Sequence, residues 1–190
     1  MSNSVMSPQE IDKLQEKVNA YICKRFTHLD YCLCKSPLCS DPGDLTELFP
    51  SVYTGLLPSL YHPHHLLRNN IGAVLDLTQE QYSRRYDLFE YLQLDLKDEK
   101  QREIRAYFQR ATRFISNAVQ RGKSVLIAST SDSTLHYLFA LARQFSLTRA
   151  PIKELMRHAE LKTIAFRLDE HFVEQLALEE KDAHCFSSHL

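Results

Sequence analysis

A run of small hydroxyl residues, STSDST at positions 129–134, lies between two apolar segments. Residues 125–128 are typical of a short buried strand, and residues 135–143 are typical of an apolar helix. A loop at the carboxyl end of a strand directs its backbone N–H groups, and the N-terminus of the next helix, toward one point where an anion is favoured. Alternatively, the Ser, Thr and Asp side chains of this loop only cap the helix. The loop residues by themselves leave both interpretations open.

The sequence contains two further clusters, one of histidines and one of cysteines, whose side chains are of the kind that bind metal ions. His62, His64 and His65 are close in sequence, but no Cys, Asp or Glu supports them, so we expect a surface turn there. Cys32, Cys34 and Cys39, with Cys23 and His28 nearby, lack the second closely spaced ligand pair that structural zinc sites normally have. We therefore expect thiols without a metal, and no metal or other cofactor in the protein.

Strands and helices alternate along the part of the chain that must position the hydroxyl loop. Short apolar or alternating segments predict strands over residues 51–58, 73–78, 91–96 and 125–128. Apolar residues at spacings of three and four predict helices over residues 102–121, 135–143, 152–159 and from 168 or 169 to about 181, with a short helix near His62. This order predicts an α/β fold with a central, largely parallel sheet flanked by helices.

The N-terminal region has a different pattern. Residues 7–26 predict an amphipathic helix that begins with Ser7 as N-cap and Pro8 at the first helical position. Its apolar stripe consists of Ile11, Leu14, Val18, Tyr21 and Ile22. A loop rich in Pro, Gly, Ser and Asp follows. We accordingly divide the chain into an N-terminal helical extension with a cysteine-containing loop (1–48), a main domain (49–181) and a frayed C-terminal tail (182–190).

Composition limits the function classes. A chain of 190 residues, with 44% apolar and 25% charged residues, is sufficient for one domain with a real core. Its net charge of −1 provides no attraction to nucleic acid or to an anionic membrane, and no apolar run approaches the roughly 20 residues of a membrane span. The first residues lack a secretory signal pattern, and the odd number of cysteines favours a reducing compartment. We expect a cytoplasmic or nuclear protein.

Three segments, taken in order, resemble the dual-specificity phosphatases, a family of the cysteine-phosphatase class. Residues 52–78 are similar to the family's opening strand, helix and second strand, and residues 94–128 to its general-acid loop, long helix and strand entering the active site. The segments 150–166 and 171–180 resemble its last two helices, including the pattern Phe172, Gln175 and Leu176. The resemblance covers residues 49–180 and implies the fold of that family.

The family's diagnostic motif, His-Cys-x5-Arg, is absent from the corresponding positions. The resemblance puts Ser129 at the position of the nucleophilic cysteine and Leu135 at that of the phosphate-binding arginine. Ala128 stands for the preceding histidine, and Asp132 for the mid-loop glycine. Asp98 occupies the position that resembles the general acid.

Each departure works against catalysis. A serine hydroxyl is hardly ionised at neutral pH, so Ser129 lacks the thiolate that attacks phosphorus in this family. Leu135 offers no donors for a bidentate contact with phosphate. Asp132 places a carboxylate where phosphate would bind, and the two negative charges repel. The sequence therefore resembles a pseudophosphatase of the phosphoserine/threonine/tyrosine-interacting kind.

The resemblance implies a catalytically inactive scaffold or competitor in phosphorylation signalling. Its partners would be signalling proteins, among them kinases or phosphoproteins, and not nucleic acid or membranes. One alternative is a phosphopeptide-binding module that uses the degenerate loop, which consists of Ser129, Thr130, Ser131, Asp132, Ser133 and Thr134. Another is an enzyme with Ser129 as nucleophile, which requires His136 within hydrogen-bond reach as its base. The last alternative is a zinc-dependent interaction module in the N-terminal region.

Overall fold

The computed structural model describes residues 45–61, 63–78, 86–96, 104–130, 133–164 and 166–187. The predicted helix over 7–26, the cysteine-containing loop, His62, Asp98, Ser131 and Asp132 lie outside the described residues. The predictions for them therefore stay predictions.

Five strands form one mixed sheet with the order β1-β2-β5-β3-β4. Strands β2, β5, β3 and β4 run parallel to their neighbours, whereas β1 pairs antiparallel with β2 at one edge. The prediction of an α/β fold with a central, largely parallel sheet is confirmed. The strands are β1 (Thr46–Phe49), β2 (Val52–Leu56), β3 (Ile71–Asp76), β4 (Glu90–Gln93) and β5 (Ser124–Ser129).

Helices connect the strands and cover both faces of the sheet. A 3-10 helix (Leu57–Tyr61) follows β2, and the α-helices are α1 (Pro63–Arg68), α2 (Arg105–Gln120), α3 (Leu135–Thr148), α4 (Ile152–Lys162) and α5 (Glu170–Ser187). Helix α2 ends at Gln120, and Gly122 follows its C-cap residue with a φ of 77°, which suits a residue without a Cβ atom. Among the described residues, no helix is long and apolar enough to cross a lipid bilayer.

Strand β5 lies between two hydrophobic cores, because successive side chains of a strand point to opposite faces. Val125 and Ile127 belong to the larger core, which helices α2 to α5 help to form. Leu126 and Ala128 belong to a smaller core on the other face, together with Leu66 of α1. All six residues of β5 are buried, so this strand anchors both layers of helices.

Several predicted boundaries differ from the observed ones. β1 begins at Thr46, before the predicted boundary at residue 49, and its Leu48 is fully buried in the larger core. Helix α5 continues past the predicted end near Lys181 to Ser187. Arg105 of α2 holds this last part of α5, because it forms ion pairs with Glu179, at 3.3 Å, and with Asp182.

Other elements are shorter or longer than predicted. The strand predicted over residues 51–58 ends at Leu56, and the strand predicted over 91–96 spans only Glu90–Gln93. Helix α3 continues past the predicted end at Arg143 to Thr148. Arg143 itself is buried inside this helix, although arginine is rarely fully buried unless it is paired. Burial lowers the pKa of its guanidinium.

The packing of α3 against α2 predicts the effect of truncating Phe139. Its ring is 1% exposed and forms a T-shaped contact with Phe108, with 5.6 Å between the ring centroids. We expect Phe139→Ala to lower the free energy of unfolding by about 3–5 kcal/mol, because it leaves a cavity in the larger core. Urea denaturation measures this loss. The matched control is Leu147→Ala on the same helix, where the side chain is 53% exposed; its effect should stay within about 0.5 kcal/mol. Similar losses for the two variants would contradict the observed packing.

Candidate functional site

The candidate site begins at the last residue of β5. Ser129 pairs in register with Leu56 of β2, and the preceding Ala128 pairs with Asp76 of β3. The hydroxyl loop therefore leaves the sheet at the carboxyl ends of three adjacent parallel strands, as the sequence predicts. This edge of an open α/β sheet is where such proteins usually bind ligands.

The side chain of Ser129 points into the protein and not toward solvent. Its exposed fraction is 0%, and it lies on the same face of β5 as Val125 and Ile127, which belong to the larger core. Ser129 Oγ is 2.5 Å from His136 Nδ1, in the first turn of α3. The same atom is 3.1 Å from the carbonyl oxygen of Ser133 and 3.2 Å from that of Thr130.

The protonation state of His136 limits which hydrogen bonds Ser129 Oγ can form with the imidazole and with the two carbonyl oxygens. Burial lowers the pKa of His136 to about 4, so its imidazole is neutral at pH 7. The Ser129 hydroxyl has one hydrogen. Either it donates that hydrogen to Nδ1, or it accepts one from Nδ1–H and donates its own to a carbonyl oxygen. In both arrangements the hydroxyl is hydrogen-bonded entirely within the protein.

The backbone N–H groups that would hold an anion are also used within the loop. The N–H of Ser133 donates to the carbonyl oxygen of Thr130 at 3.2 Å, and the N–H of Tyr137 donates to that of Thr134 at 3.1 Å. The N–H of Leu135 donates to Ser133 Oγ at 3.4 Å. In the described part of the loop, carbonyl oxygens rather than N–H groups approach Ser129 Oγ. This arrangement disfavours an anion at that point.

The capping interpretation of the loop is only partly correct. Thr134 is the N-cap residue of α3, but its hydroxyl forms no capping hydrogen bond and, among the described residues, has no partner at all. Ser133 instead accepts the N–H of Leu135, although the distance is long. The start of α3 is therefore stabilised mainly by burial of its side chains rather than by a strong cap.

The other predicted site residues lie at different depths. Ala128 is fully buried in the smaller core, and Leu135 is 1% exposed in the larger core. The two residues therefore lie in opposite cores, and neither presents a polar group to the loop. Ser131, Asp132 and the predicted general acid Asp98 lie outside the described part of the chain.

Two buried polar side chains at this edge of the sheet, His136 and Asp76, are more closely involved in the site than the sequence predicts. His136 is brought within hydrogen-bond reach of Ser129, which is the condition set for it as a base. Asp76, at the end of β3, is fully buried, and its Oδ1 accepts hydrogen bonds from Thr78 N–H at 3.0 Å and Thr78 Oγ1 at 2.7 Å. The available signal for Asp76 was an acidic residue within an otherwise apolar strand.

The described residues include no cluster of three or more His, Cys, Asp or Glu side chains that would hold a metal ion. The cysteine cluster at residues 23–39 and His62 lie outside that part of the chain, as does the side chain of His64. The expectation that these residues bind no metal stays a prediction.

The fold is similar to that of solved phosphatase structures, although the chain matches no family model. A mouse putative dual specificity phosphatase aligns with a TM-score of 0.71 and 14% identity, over 82% of this chain and 96% of that chain. Human DUSP28 aligns at 0.69 and 14% identity, over 76% and 97%. The human tyrosine phosphatase-like serine/threonine/tyrosine-interacting protein aligns at 0.68 and 20% identity, over 73% and 97%. At these identities the similarity establishes the fold and nothing finer.

The buried imidazole predicts how stability depends on pH. The native pKa of His136 is about 4 and its ordinary value is 6.5, so between these values the unfolded chain binds a proton that the native protein does not. We expect the free energy of unfolding to fall as the pH is lowered through this window, with this residue contributing on the order of 3 kcal/mol. Urea denaturation from pH 7 to pH 4 measures the effect.

The control for the pH effect is His136→Gln, which keeps a polar group near Ser129 but does not titrate. Its free energy of unfolding should depend less on pH across the same window, because the two proteins differ only in this imidazole. Equal pH dependence in the two proteins would show that the imidazole is not held neutral by burial.

Proposed function

We propose, from the premise that the chain has the dual-specificity phosphatase fold, that it is a catalytically inactive pseudophosphatase. In this proposal it acts as a protein-binding scaffold or competitor in phosphorylation signalling. The observation that carries the proposal is the buried Ser129 hydroxyl at the end of β5, bonded to His136. The resemblance assigns this position to the catalytic cysteine.

The chemistry of phosphoryl transfer supports inactivity. The family's reaction needs an ionised nucleophile that reaches phosphorus, and a serine hydroxyl at neutral pH is un-ionised. At Ser129 the hydroxyl is in addition 0% exposed, and its neighbours are two carbonyl oxygens and a neutral imidazole. Attack on a phosphate ester would require those contacts to break and the loop to move aside.

Few groups in the loop support phosphate recognition. We therefore rank the phosphopeptide-binding module below the scaffold. Leu135 provides no charge, and its side chain is buried in the larger core. The N–H groups of Ser133, Leu135 and Tyr137 already donate within the loop or helix. A phosphate group at this point would lose the charge-assisted contacts that make such sites strong.

The close contact between Ser129 and His136 favours one other candidate, a serine-dependent hydrolase. A hydroxyl 2.5 Å from a neutral imidazole resembles a nucleophile with its general base. However, His136 is only 5% exposed and Ser129 is not exposed at all, so an ester carbonyl has no access to either atom. We assign the pair a structural role, in which it fixes the start of the loop against α3.

Binding without catalysis needs only a retained fold and a surface that partners recognise. A protein with the phosphatase fold and no reaction of its own can occupy partners that an active phosphatase would otherwise bind. We propose signalling proteins, such as kinases or phosphoproteins, as partners, in the cytoplasm or nucleus. The near-neutral net charge of −1 is compatible with protein partners rather than nucleic acid.

Enzyme assays test whether the protein lacks phosphatase and esterase activity. We expect the purified protein to hydrolyse para-nitrophenyl phosphate, a phosphotyrosine peptide and para-nitrophenyl acetate no faster than its Ser129→Ala variant does. The informative comparison is a fourfold variant with Ala128→His, Ser129→Cys, Asp132→Gly and Leu135→Arg, which restores the family motif. Phosphatase activity of the restored variant would show that the scaffold is competent. Hydrolysis by the wild type that Ser129→Ala abolishes would overturn the proposal.

Calorimetry separates the scaffold from the phosphopeptide-binding module. We expect no heat of binding when inorganic phosphate or phosphotyrosine peptides are titrated into the protein, because the N–H groups of Ser133, Leu135 and Tyr137 already donate within the protein. The matched comparison uses the same peptides without phosphate. Binding that disappears on dephosphorylation would favour the module and contradict phosphate-independent scaffolding.

A further inference from the structure

An opening of about 400 Å³ lies between α2, α3 and α5. Phe108 and Ala142 provide the apolar part of its lining. The polar part consists of hydroxyl, amide and charged side chains: Arg105, Gln109, Thr112, Arg113, Ser116, Ser146 and Glu179. Hydrogen-bond donors are therefore numerous in the lining, and the opening suits a polar ligand that accepts hydrogen bonds.

Helix α2 supplies most of these donors from one face. Positions 109, 112, 113 and 116 recur at spacings of three and four, which places their side chains next to each other on the helix. The helix contains Arg105, Arg110 and Arg113 but no Asp or Glu between its first and last residues. It therefore carries positive charge without any compensating acid of its own.

The carboxylates near the opening are already paired, whereas two arginines of α2 are not. Glu179 lies 3.3 Å from the guanidinium of Arg105, and Asp182 pairs with the same guanidinium. Arg110 and Arg113 are exposed, and neither forms an ion pair within the described part of the chain. Since they are three residues apart, their Cβ atoms are about 5–6 Å from each other. Together they form a positively charged surface at and beside the opening.

Two buried polar groups on this side of the domain also lack partners among the described residues. Ser116 Oγ is covered from solvent and forms no hydrogen bond, so its rotation to another staggered rotamer breaks none. Arg143 is 6% exposed, and its Nη1 donates to Gln144 Oε1 at 3.2 Å, whereas its Nε has no partner. Burial of a charge without an opposite charge is unfavourable, and a carboxylate nearby would relieve that cost.

Arg143 lies on the face of α3 that is turned toward α2. It follows Phe139, whose ring contacts Phe108 of α2, by four residues, and it precedes Ser146 of the opening by three. Its guanidinium therefore adds to the positive potential on this side of the domain. Because it is buried, water and salt screen that charge less than they screen the exposed arginines.

From the opening, the unpaired arginines and the buried groups without partners, we propose that this face of α2 binds an acidic segment of a partner protein. One carboxylate of the segment enters the opening, where Arg113 and the hydroxyl of Ser116 donate to it, and a second pairs with Arg110. A planar guanidinium binds a carboxylate through two parallel hydrogen bonds, which fixes the orientation of the segment.

An extended segment with an acidic residue at every second position fits this spacing. Its alternate side chains point to the same side and are about 6.5–7 Å apart, close to the separation of two arginines in successive turns. The proposal gives the scaffold a binding surface and a chemical class of partner. It does not depend on the hydroxyl loop, so its failure would leave the result of the Ser129 assays unaffected.

Fluorescence anisotropy with two labelled peptides tests the docking. One peptide alternates glutamate and serine, and the other has glutamine in place of each glutamate. We expect the wild type to bind the glutamate peptide on the order of tenfold more tightly at low salt, and added salt to reduce the difference, because exposed ion pairs are screened. The double variant with Arg110→Gln and Arg113→Gln should bind both peptides equally weakly.

The matched control carries Arg157→Gln and Arg167→Gln, which remove two exposed arginines outside the opening and change the net charge by the same amount. It should retain the preference for the glutamate peptide. Equal binding of the two peptides by the wild type would overturn the proposal, and so would an equal loss of affinity in the control, which would indicate attraction by net charge alone.

Ser116→Ala separates binding from structure. Since the hydroxyl has no partner, its removal should leave the urea midpoint of unfolding unchanged or higher, and it should weaken the glutamate peptide about threefold. A lower midpoint with unchanged affinity would contradict the role of Ser116 in binding.

Analytical ultracentrifugation tests whether a second copy of the chain is the occupant. We expect a monomer. A dimer that the Arg110 and Arg113 double variant dissociates would identify a second copy on this face and overturn the proposal.

Discussion

Burial of β5 on both faces is the constraint on which the rest of the structure depends. The strand lies between β2 and β3, and its side chains alternate between the core under helices α2 to α5 and the core that includes α1. Because no residue of β5 is free to face solvent, its direction and register are tightly specified. Ser129 is consequently held at the edge of the sheet, with α3 beginning six residues later.

The same constraint determines the chemistry of the loop. Ser129 continues the alternation that sends Val125 and Ile127 toward the helices, so its hydroxyl faces α3 and contacts His136. The imidazole is held neutral because the burial that brings it there penalises its charged form. The Ser129 hydroxyl is thereby hydrogen-bonded to His136 and lies close to the carbonyl oxygens of Thr130 and Ser133. This edge of the sheet is where open α/β proteins usually bind ligands, and here the Ser129 hydroxyl contacts groups of the protein itself.

In the function that we propose, surfaces rather than reactive groups determine what the protein does. Helix α4 is attached to the sheet through His158 and β1 and to α5 through Glu180. It therefore links the antiparallel edge of the sheet to the last helix of the domain.

The sequence by itself determined the order of strands and helices, the largely parallel sheet and the position of the hydroxyl loop, because apolar periodicity and turn residues are local signals. Through the resemblance it also predicts Ser129, Ala128 and Leu135 as site positions, and these assignments stay predictions. Tertiary structure decided the rest. Strand β1 is only four residues long and is recognisable through its pairing with β2, and the end of α5 depends on a distant arginine, Arg105. Strand alternation puts Ser129 on the same face as Val125 and Ile127, but the contact of its hydroxyl with His136 depends on how α3 packs on β5, which no local pattern encodes.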